Sequence, residues 1–177
     1  TVKATVDFKI KGMRKSDITP VGVVMTKDGK TAWVTLGKAN HVAFVDVAAR
    51  KVTDLVLVGK RAWNVALDKA EARLYVVNGR ATADVFDMRS KSLNGRYKLL
   101  DDGKLEVSNA TSLLGGISLM IGDSSGGIAQ WFMVREADGK AVLKSIRSFQ
   151  LADSPIIQIL PEERRKGFFA LDAKGNL

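Results

Sequence analysis

The few residues of this 177-residue sequence that could do chemistry are one histidine and a serine-rich string. His41 is the single histidine, and cysteine is absent. A metal site usually needs several histidine, cysteine or carboxylate ligands, so His41 cannot anchor one in the usual way. Because it follows Asn40 at a predicted junction of loop and strand, we interpret His41 as a solvent-facing turn residue and not as a general base.

The serine-rich string is Gly-Asp-Ser-Ser-Gly-Gly at 122–127. A serine nucleophile needs a base, usually a histidine oriented by a carboxylate, and His41 is the only candidate for that base. A Gly-rich hairpin turn explains the string better. The strings "TKDGKT" at 26–31 and "DAKGNL" at 172–177 are likewise interpreted as hairpin turns, because neither has the ligand pattern of an EF-hand calcium loop.

Two further features could bind a ligand but are expected to have structural roles. The run Arg164-Arg165-Lys166 could contact an anion, and we interpret it as a charged turn between strands. The tryptophans fall on predicted strands, where packing between sheets is the expected role and ligand stacking the alternative. They are Trp33, Trp63 and Trp131. We therefore assign no catalytic, cofactor-binding or metal-ligating residue and expect no cofactor.

The positive charge is concentrated in one half of the chain. Of the formal net charge of +9, residues 1–93 carry 17 Lys and Arg against 9 Asp and Glu, and residues 94–177 carry 11 against 10. The basic residues are dispersed over predicted turns and alternate strand positions, with no tight basic run interleaved with aromatics. This pattern indicates solvated strand faces, so we predict no specific nucleic-acid partner.

The composition indicates a folded globular chain. Hydrophobic residues are 46%, with 16 Gly and 3 Pro, which excludes a disordered or collagen-like chain. No apolar run approaches the ~20 residues that a membrane-spanning helix needs, and we expect no membrane partner. The chain opens at Thr1 inside an alternating pattern, which suggests a processed or excised piece.

Internal repeats organise the whole sequence. In the first half, aligning Gly37 with Gly79 gives an offset of 42. The same offset aligns Val23 with Val65, Met25 with Leu67, Trp33 with Tyr75 and Val34 with Val76, and after one deleted residue Phe44-Val45-Asp46 lies on Val85-Phe86-Asp87. In the second half, an offset of 49 aligns Asp123 with Asp172 and Gly126 with Gly175. A period near 42 residues is typical of four-stranded propeller blades.

We therefore predict an all-β fold, a β-propeller of four-stranded antiparallel blades, with about four blades in a single array over residues 1–177. The units are 19–59, 60–103, 104–153 and 154–177, and the last lacks its outer strands. Residues 1–10 alternate between apolar and polar side chains, which predicts a half-buried strand. This N-terminal strand is expected to help complete the last blade or a neighbouring chain.

Residues 1–88 resemble the YVTN family of β-propeller repeats. The strings "TAWVTLGKANHVAFVDV" at 31–47 and "GKRAWNVALDKAEARLYVVNG" at 59–79 carry the resemblance, with Trp33-Val34-Thr35 and Tyr75-Val76-Val77-Asn78 at the family's name motif. The first half is also similar to bacterial propellers associated with quinone-dependent alcohol catabolism. That likeness implies an enzyme or cofactor carrier for alcohol oxidation as an alternative, which the missing catalytic set contradicts.

Residues 89–177 resemble the WD-like periplasmic segment of a bacterial phosphate ABC transporter permease. The strings "GDSSGGIAQWF" at 122–132 and "PEERRKGF" at 161–168 carry this resemblance. The permease's membrane helices are absent, so neither transport nor a phosphate site is carried over. Together the two families imply a bacterial periplasmic location.

Two halves that resemble different families predict a chimera of propeller blades, engineered or made by recombination, with a natural mosaic as the alternative. Both halves offer apolar residues of similar size for packing between blades: Val23, Val34, Phe44 and Val65, then Met120, Trp131, Phe132, Phe168 and Phe169. The predicted function is a non-enzymatic scaffold with no native biochemical activity. The alternative is a natural periplasmic module that binds a partner protein at the propeller mouth. We expect self-association, such as a dimer that completes a ring of about eight blades, with a closed monomer as the alternative.

Overall fold

The computed structural model describes residues 1–79, 81–101, 103–113, 116–162 and 167–177. Within these ranges the chain forms 14 strands in four antiparallel sheets and one short 3-10 helix, Lys15–Asp17. None of their helical segments is long and apolar enough to cross a membrane. The four-sheet, all-β architecture confirms the fold class predicted from the sequence.

Consecutive strands pair in chain order, so every sheet is an antiparallel meander. Sheet 1 contains β1 (Pro20–Met25), β2 (Thr31–Leu36), β3 (His41–Asp46) and β4 (Lys51–Leu57). Sheet 2 contains β5 (Ala62–Leu67), β6 (Arg73–Asn78), β7 (Thr82–Asp87) and β8 (Ser92–Lys98). Sheet 3 contains β9 (Val107–Leu113), β10 (Ser118–Asp123), β11 (Gly127–Arg135) and β12 (Ala141–Gln150). Sheet 4 contains β13 (Ile156–Pro161) and β14 (Phe168–Asp172). The sheets coincide with the four predicted units.

Sheets 1 and 2 repeat one another at the level of single hydrogen bonds. The Gly37 N–H donates to the Thr19 carbonyl at 2.7 Å, and the Gly79 N–H donates to the Arg61 carbonyl at 2.8 Å. The aligned residues of the second and third strands also pair alike: Trp33 with Phe44, and Tyr75 with Val85. The offset of 42 therefore reflects a true structural repeat.

The two aligned aspartates of the second half organise equivalent turns. The Asp123 carboxylate accepts hydrogen bonds from the backbone N–H groups two and four residues later, at 2.7 and 3.0 Å. The Asp172 carboxylate accepts the same pair, at 3.0 and 2.8 Å. The pKa of Asp172 is lowered from 3.8 to about 2, chiefly because the Asn176 side chain donates to its carboxylate and further because these backbone N–H groups do. The predicted hairpin turns are thus built around a carboxylate.

Clusters of buried apolar side chains connect each sheet to the next. Leu74 and Phe86 belong to the cluster between sheets 1 and 2, Val85 and Leu119 to the cluster between sheets 2 and 3, and Met120 and Ile156 to the cluster between sheets 3 and 4. Each such side chain stabilises the fold by about 1.5–3 kcal/mol relative to exposure. No cluster within the described ranges joins sheet 4 to sheet 1. The four sheets therefore form an open arc.

Polar side chains tie the innermost strands of the arc together. Four such bonds run from sheet to sheet: Thr35 Oγ1 to the Trp63 carbonyl at 3.1 Å, Asn64 Nδ2 to the Ala110 carbonyl, Ser108 Oγ to the Ile156 carbonyl at 2.6 Å, and Asn109 Nδ2 to the Ile157 carbonyl at 3.1 Å. Each acceptor lies on the first strand of the following sheet. A bond of this kind contributes about 0.5–1.5 kcal/mol, and its direction helps to fix how one sheet lies on the next.

Residues 1–10 depart from the predicted strand. They form no strand and pair with no sheet. Phe8 and Ile10 instead pack with Ile18 against Leu36 and Ala43 of sheet 1. An alternating apolar pattern also fits an unpaired segment that covers a sheet, because such a segment needs apolar side chains only on the side that faces the sheet. The expectation is thus corrected for this chain: the N-terminal segment covers the first sheet and does not pair with the last.

Candidate interaction site

A cleft of about 460 Å³ lies where the first strands of sheets 1, 2 and 3 begin. Its polar and aromatic lining is Thr19, Lys38, Arg61, Trp63, Glu106 and Ser108, with Val21, Gly37 and Gly79 among the remaining wall. Because residues from three sheets are needed, the cleft exists only when those sheets are stacked. It also spans both halves of the sequence, since Glu106 and Ser108 come from the second half.

A β-bulge occurs in each of the first strands at this end of the arc. The pairing register of β5 shifts between Ala62 and Asn64, which leaves Trp63 outside the regular ladder. In β9 the shift leaves out Ser108, and in β1 it falls between Pro20 and Val23. A bulge adds one residue to one strand and redirects its side chain. The bulge in β5 therefore turns Trp63 out of the sheet-to-sheet packing and into the cleft wall, whereas Ser108 lines the cleft while its hydroxyl donates to the Ile156 carbonyl of sheet 4.

Close packing of β1 against β5 holds Trp63 in place. A Cβ at Gly22 would lie 2.9 Å from the Trp63 carbonyl and 3.1 Å from the Thr35 hydroxyl, so a larger residue cannot take this position without a shift. The Thr35 hydroxyl accepts from the Gly22 N–H at 2.8 Å while it donates to the Trp63 carbonyl. One buried hydroxyl thus fixes the backbone of Trp63 relative to sheet 1.

The three tryptophans have different environments. Trp33 is 4% exposed and packs edge-on against Phe44 between sheets 1 and 2. Trp131 is partly buried beside the cluster between sheets 2 and 3. The expected packing role is confirmed for these two. Trp63 is 52% exposed, which corrects that expectation, and the bulge at its position is the physical reason.

The charged side chains of the cleft are unpaired. Within the described ranges, Lys38, Arg61 and Glu106 form no ion pair, and all three are exposed. The backbone of Arg61 is fixed at φ 56° and its N–H donates to the Asn40 side-chain oxygen at 2.7 Å. Two cations and one carboxylate therefore line the cleft together with the exposed indole, and none of the three is paired with a described charged residue.

The residues first considered for catalysis lie elsewhere and have structural partners. His41 is partly buried at the start of β3, and its Nδ1 lies 2.6 Å from the Ala39 carbonyl. Of the two serines, Ser125 donates to the Asp123 carboxylate at 2.8 Å and Ser124 accepts from the Glu106 N–H at 3.1 Å. Neither is hydrogen-bonded to His41 in the part of the chain that the structure describes.

The other candidate ligand sites are turns or fall outside the structure. Asp28 of "TKDGKT" and Asp172 of "DAKGNL" accept hydrogen bonds from their own hairpin backbones, as the turn interpretation requires. No group of three or more potential metal ligands occurs within the described residues. The basic run at 164–166 lies outside them.

Comparison with known proteins supports the same fold. A model of the choice-of-anchor I domain matches residues 2–74, which is less than half of the chain. No curated protein matches the chain. The β-propeller domain of Myceliophteria thermophila Cps50 (Swd1) is similar in structure, with a TM-score of 0.73 and 12% identity over 91% of this chain and 53% of that one.

Kuenenia stuttgartiensis hydrazine synthase is also similar, with a TM-score of 0.66 and 20% identity over 94% of this chain and 50% of that one. This chain therefore spans about half the length of either solved chain. At such identities the likeness shows the fold alone. The described part of the chain is a β-propeller array of four sheets.

Proposed function

We propose that this chain is a non-enzymatic β-propeller scaffold that binds a segment of a partner protein in the cleft between its first three sheets. The observation that carries the proposal is Trp63. A β-bulge places it in the cleft, and it is half exposed beside Lys38, Arg61 and Glu106, whose charges are unpaired among the described residues.

The chemistry of the cleft suits a polypeptide segment. Tryptophan and arginine are enriched among the residues that dominate protein-protein binding, where a central aromatic anchor is surrounded by polar groups. A volume of about 460 Å³ accommodates a few side chains of an extended segment.

Peptides selected from a random displayed library on the intact chain provide the test. Trp63→Ala is expected to weaken the binding of selected peptides at least tenfold, and Lys38→Ala to weaken it less. Ile146→Ala is the matched control, because Ile146 is 48% exposed on β12 and lies outside the cleft. Selected peptides that bind the Trp63→Ala and Ile146→Ala variants equally well would refute the proposal.

The non-enzymatic part of the proposal rests on how the candidate catalytic groups are used. The His41 ring contacts the Ala39 carbonyl. The Ser124 hydroxyl accepts from the Glu106 N–H, and the Ser125 hydroxyl donates to Asp123 within its own turn. A purified protein that carries a tightly bound quinone, detected by its absorbance spectrum, would contradict it and would favour the alcohol-oxidation alternative.

We also propose that the two halves, residues 1–88 and 89–177, have different origins and are joined at about residues 88–93. The turns support this. Among the described residues, every non-glycine residue with positive φ lies between Asn40 and Lys91, whereas all those with positive φ in the second half are glycines. Natural sequences provide the test: a single gene in which a unit like 60–103 continues into a unit like 104–153 would contradict an engineered or recent junction.

A further inference from the structure

We propose that two copies of this chain close one ring, with sheet 4 of each copy packed against sheet 1 of the other. The inference goes beyond the proposed function, because it concerns the two ends of the arc and not the cleft. Its two surfaces are the free face of sheet 1, formed by Val23 and Met25, and the free face of sheet 4, formed by Leu160 and Phe169.

The residues on the free face of sheet 1 occupy the repeat positions that, in sheet 2, pack against the preceding sheet. At the offset of 42, Val23 corresponds to Val65 and Met25 to Leu67. Val65 and Leu67 are 6% and 8% exposed, because they pack against sheet 1. Val23 and Met25 are 65% and 51% exposed. The exposed face of sheet 1 is therefore equivalent to the face of sheet 2 that is buried against sheet 1.

On the free face of sheet 4, Phe169 likewise occupies a repeat position that is buried in sheet 3. At the offset of 49, Phe169 corresponds to Met120, which is fully buried between sheets 3 and 4. Phe169 is 62% exposed, and its cross-strand partner Leu160 is 49% exposed on the same face. Both ends of the arc thus expose apolar side chains at positions that are buried inside it. Exposed apolar patches of this kind mark interaction surfaces.

The two free faces also match in extent. The N-terminal segment, through Phe8, Ile10 and Ile18, covers the part of sheet 1 around Leu36 and Ala43. On the innermost strand, β1, Val23 and Met25 stay exposed, and Met25 lies at a groove that Lys3, Ala4, Val6 and Phe8 of the N-terminal segment also line. Sheet 4 consists of only the two innermost strand positions, β13 and β14. A two-stranded sheet therefore fits the part of sheet 1 that the N-terminal segment leaves uncovered.

The size and charge of the arc favour a second copy as the occupant, in a head-to-tail arrangement. This chain spans about half of each similar propeller chain, so two arcs of the same curvature span one ring of about eight sheets. Residues 1–59 contain ten Lys and Arg against five Asp and Glu, whereas residues 154–177 contain four against three. Pairing two first sheets would bring two strongly basic ends together, and pairing sheet 1 with sheet 4 avoids that repulsion.

Thiol cross-linking tests this arrangement directly, because the natural chain has no cysteine. Val23→Cys and Phe169→Cys chains are prepared separately and mixed, and a short bifunctional maleimide is added. The proposal predicts covalent dimers in the mixture and few in either variant alone. Ile146→Cys is the control, and it should not link to either partner. Efficient linking of Val23→Cys chains to one another would overturn the proposal.

Light scattering on the unmodified chain gives the second readout. A mass of two chains is expected at micromolar concentration, and Phe169→Asp should reduce it to one chain while circular dichroism shows the same β content. A mass of one chain at all concentrations would overturn the proposal, and so would masses that grow without limit, because they indicate an open polymer. Failure of peptide binding with the dimer intact would overturn only the proposed cleft function.

Discussion

The first and second halves of the arc build the same turns by different means. Among the described residues of the first half, glycine has positive φ only at Gly12 and Gly29, and six other residues share that conformation: Asn40, Arg50, Arg61, Glu71, Ala81 and Lys91. In the described part of the second half, every residue with positive φ is a glycine: Gly103, Gly116, Gly126, Gly139 and Gly175. The left-handed conformation costs a non-glycine residue about 1–2 kcal/mol, whereas glycine adopts it freely. The first half thus tolerates strain that the second avoids.

The two halves also differ in the length of their strands, but their sheets still pack against one another through buried apolar side chains. The strands of sheets 1 and 2 contain six or seven residues, whereas β11 and β12 contain nine and ten. Sheets 2 and 3 nevertheless share one cluster of buried residues, to which Val85 and Leu119 belong. The comparison indicates that stacking depends on the apolar faces of the inner strands and not on how the turns are made.

The largest expected effect follows from removing a side chain between the halves. Leu119→Ala should lower the free energy of unfolding by about 2–5 kcal/mol, because Leu119 is 3% exposed in the cluster that joins sheets 2 and 3. Leu57→Ala is the chemically matched control at 70% exposure and should change it by less than about 0.5 kcal/mol. Urea unfolding measures both, and equal effects would mean that the halves do not rely on this contact.

A glycine turn of the second half should be the next most sensitive position. Gly126 has φ 90°, and a Cβ there would clash with the Ala152 carbonyl, so Gly126→Ala should cost roughly 2–4 kcal/mol. Gly139 has φ 82° with open space around it, so Gly139→Ala should cost only about 1 kcal/mol. Thermal unfolding of the two variants separates the clash from the backbone strain. A larger loss for Gly139→Ala would contradict this explanation.

In the first half, a substitution at a turn residue with positive φ is expected to raise the free energy of unfolding instead of lowering it. Arg50 is exposed with φ 55°, so Arg50→Gly should relieve strain and raise the free energy of unfolding by about 0.5 kcal/mol after the entropy cost of glycine. Lys51→Gly, the neighbouring strand residue, should lower it by about 0.5–1 kcal/mol. Chemical denaturation checks the pair. Destabilisation by both would remove the contrast between the halves.

The smallest effect concerns the pH dependence of one turn. The folded pKa of Asp172 is lowered from 3.8 to about 2, so its stabilising contribution is complete above about 4 and is lost as the pH falls through about 2. The difference in melting temperature between the natural chain and Asp172→Asn should therefore shrink over that range. A difference that stays constant from pH 5 to pH 2 would show that the hydrogen bonds to this carboxylate do not stabilise the turn.

The sheets could be predicted from the sequence because each unit repeats its strand and turn residues at a fixed offset. Asp123 and Asp172, aligned by sequence alone, form the same turn. The alternation at 1–10 was ambiguous, since a paired strand and a segment that covers a sheet need the same pattern. Phe8 and Ile10 contact sheet 1, a choice set by tertiary packing.

The cleft could not be predicted, because it depends on single-residue bulges and on the angle between sheets. Nothing in "AWNVAL" marks Trp63 as the bulged residue, and regular alternation would direct it toward a neighbouring sheet. Lys38 lies in the turn after β2 and Glu106 directly before β9, far apart in sequence. The available signal is that each lies next to the end of a predicted strand, and the sequence does not show that the two strand ends meet.

Hydrogen exchange with mass spectrometry during urea titration tests most directly that the two halves form one stacked array. The informative peptides cover β6 (Arg73–Asn78) and β10 (Ser118–Asp123), the strands on either side of the junction. If sheets 2 and 3 share one core, both peptides lose protection at the same urea concentration, and Leu119→Ala shifts both together. Loss of protection in β10 while β6 stays fully protected would show that the halves fold independently and would contradict this account.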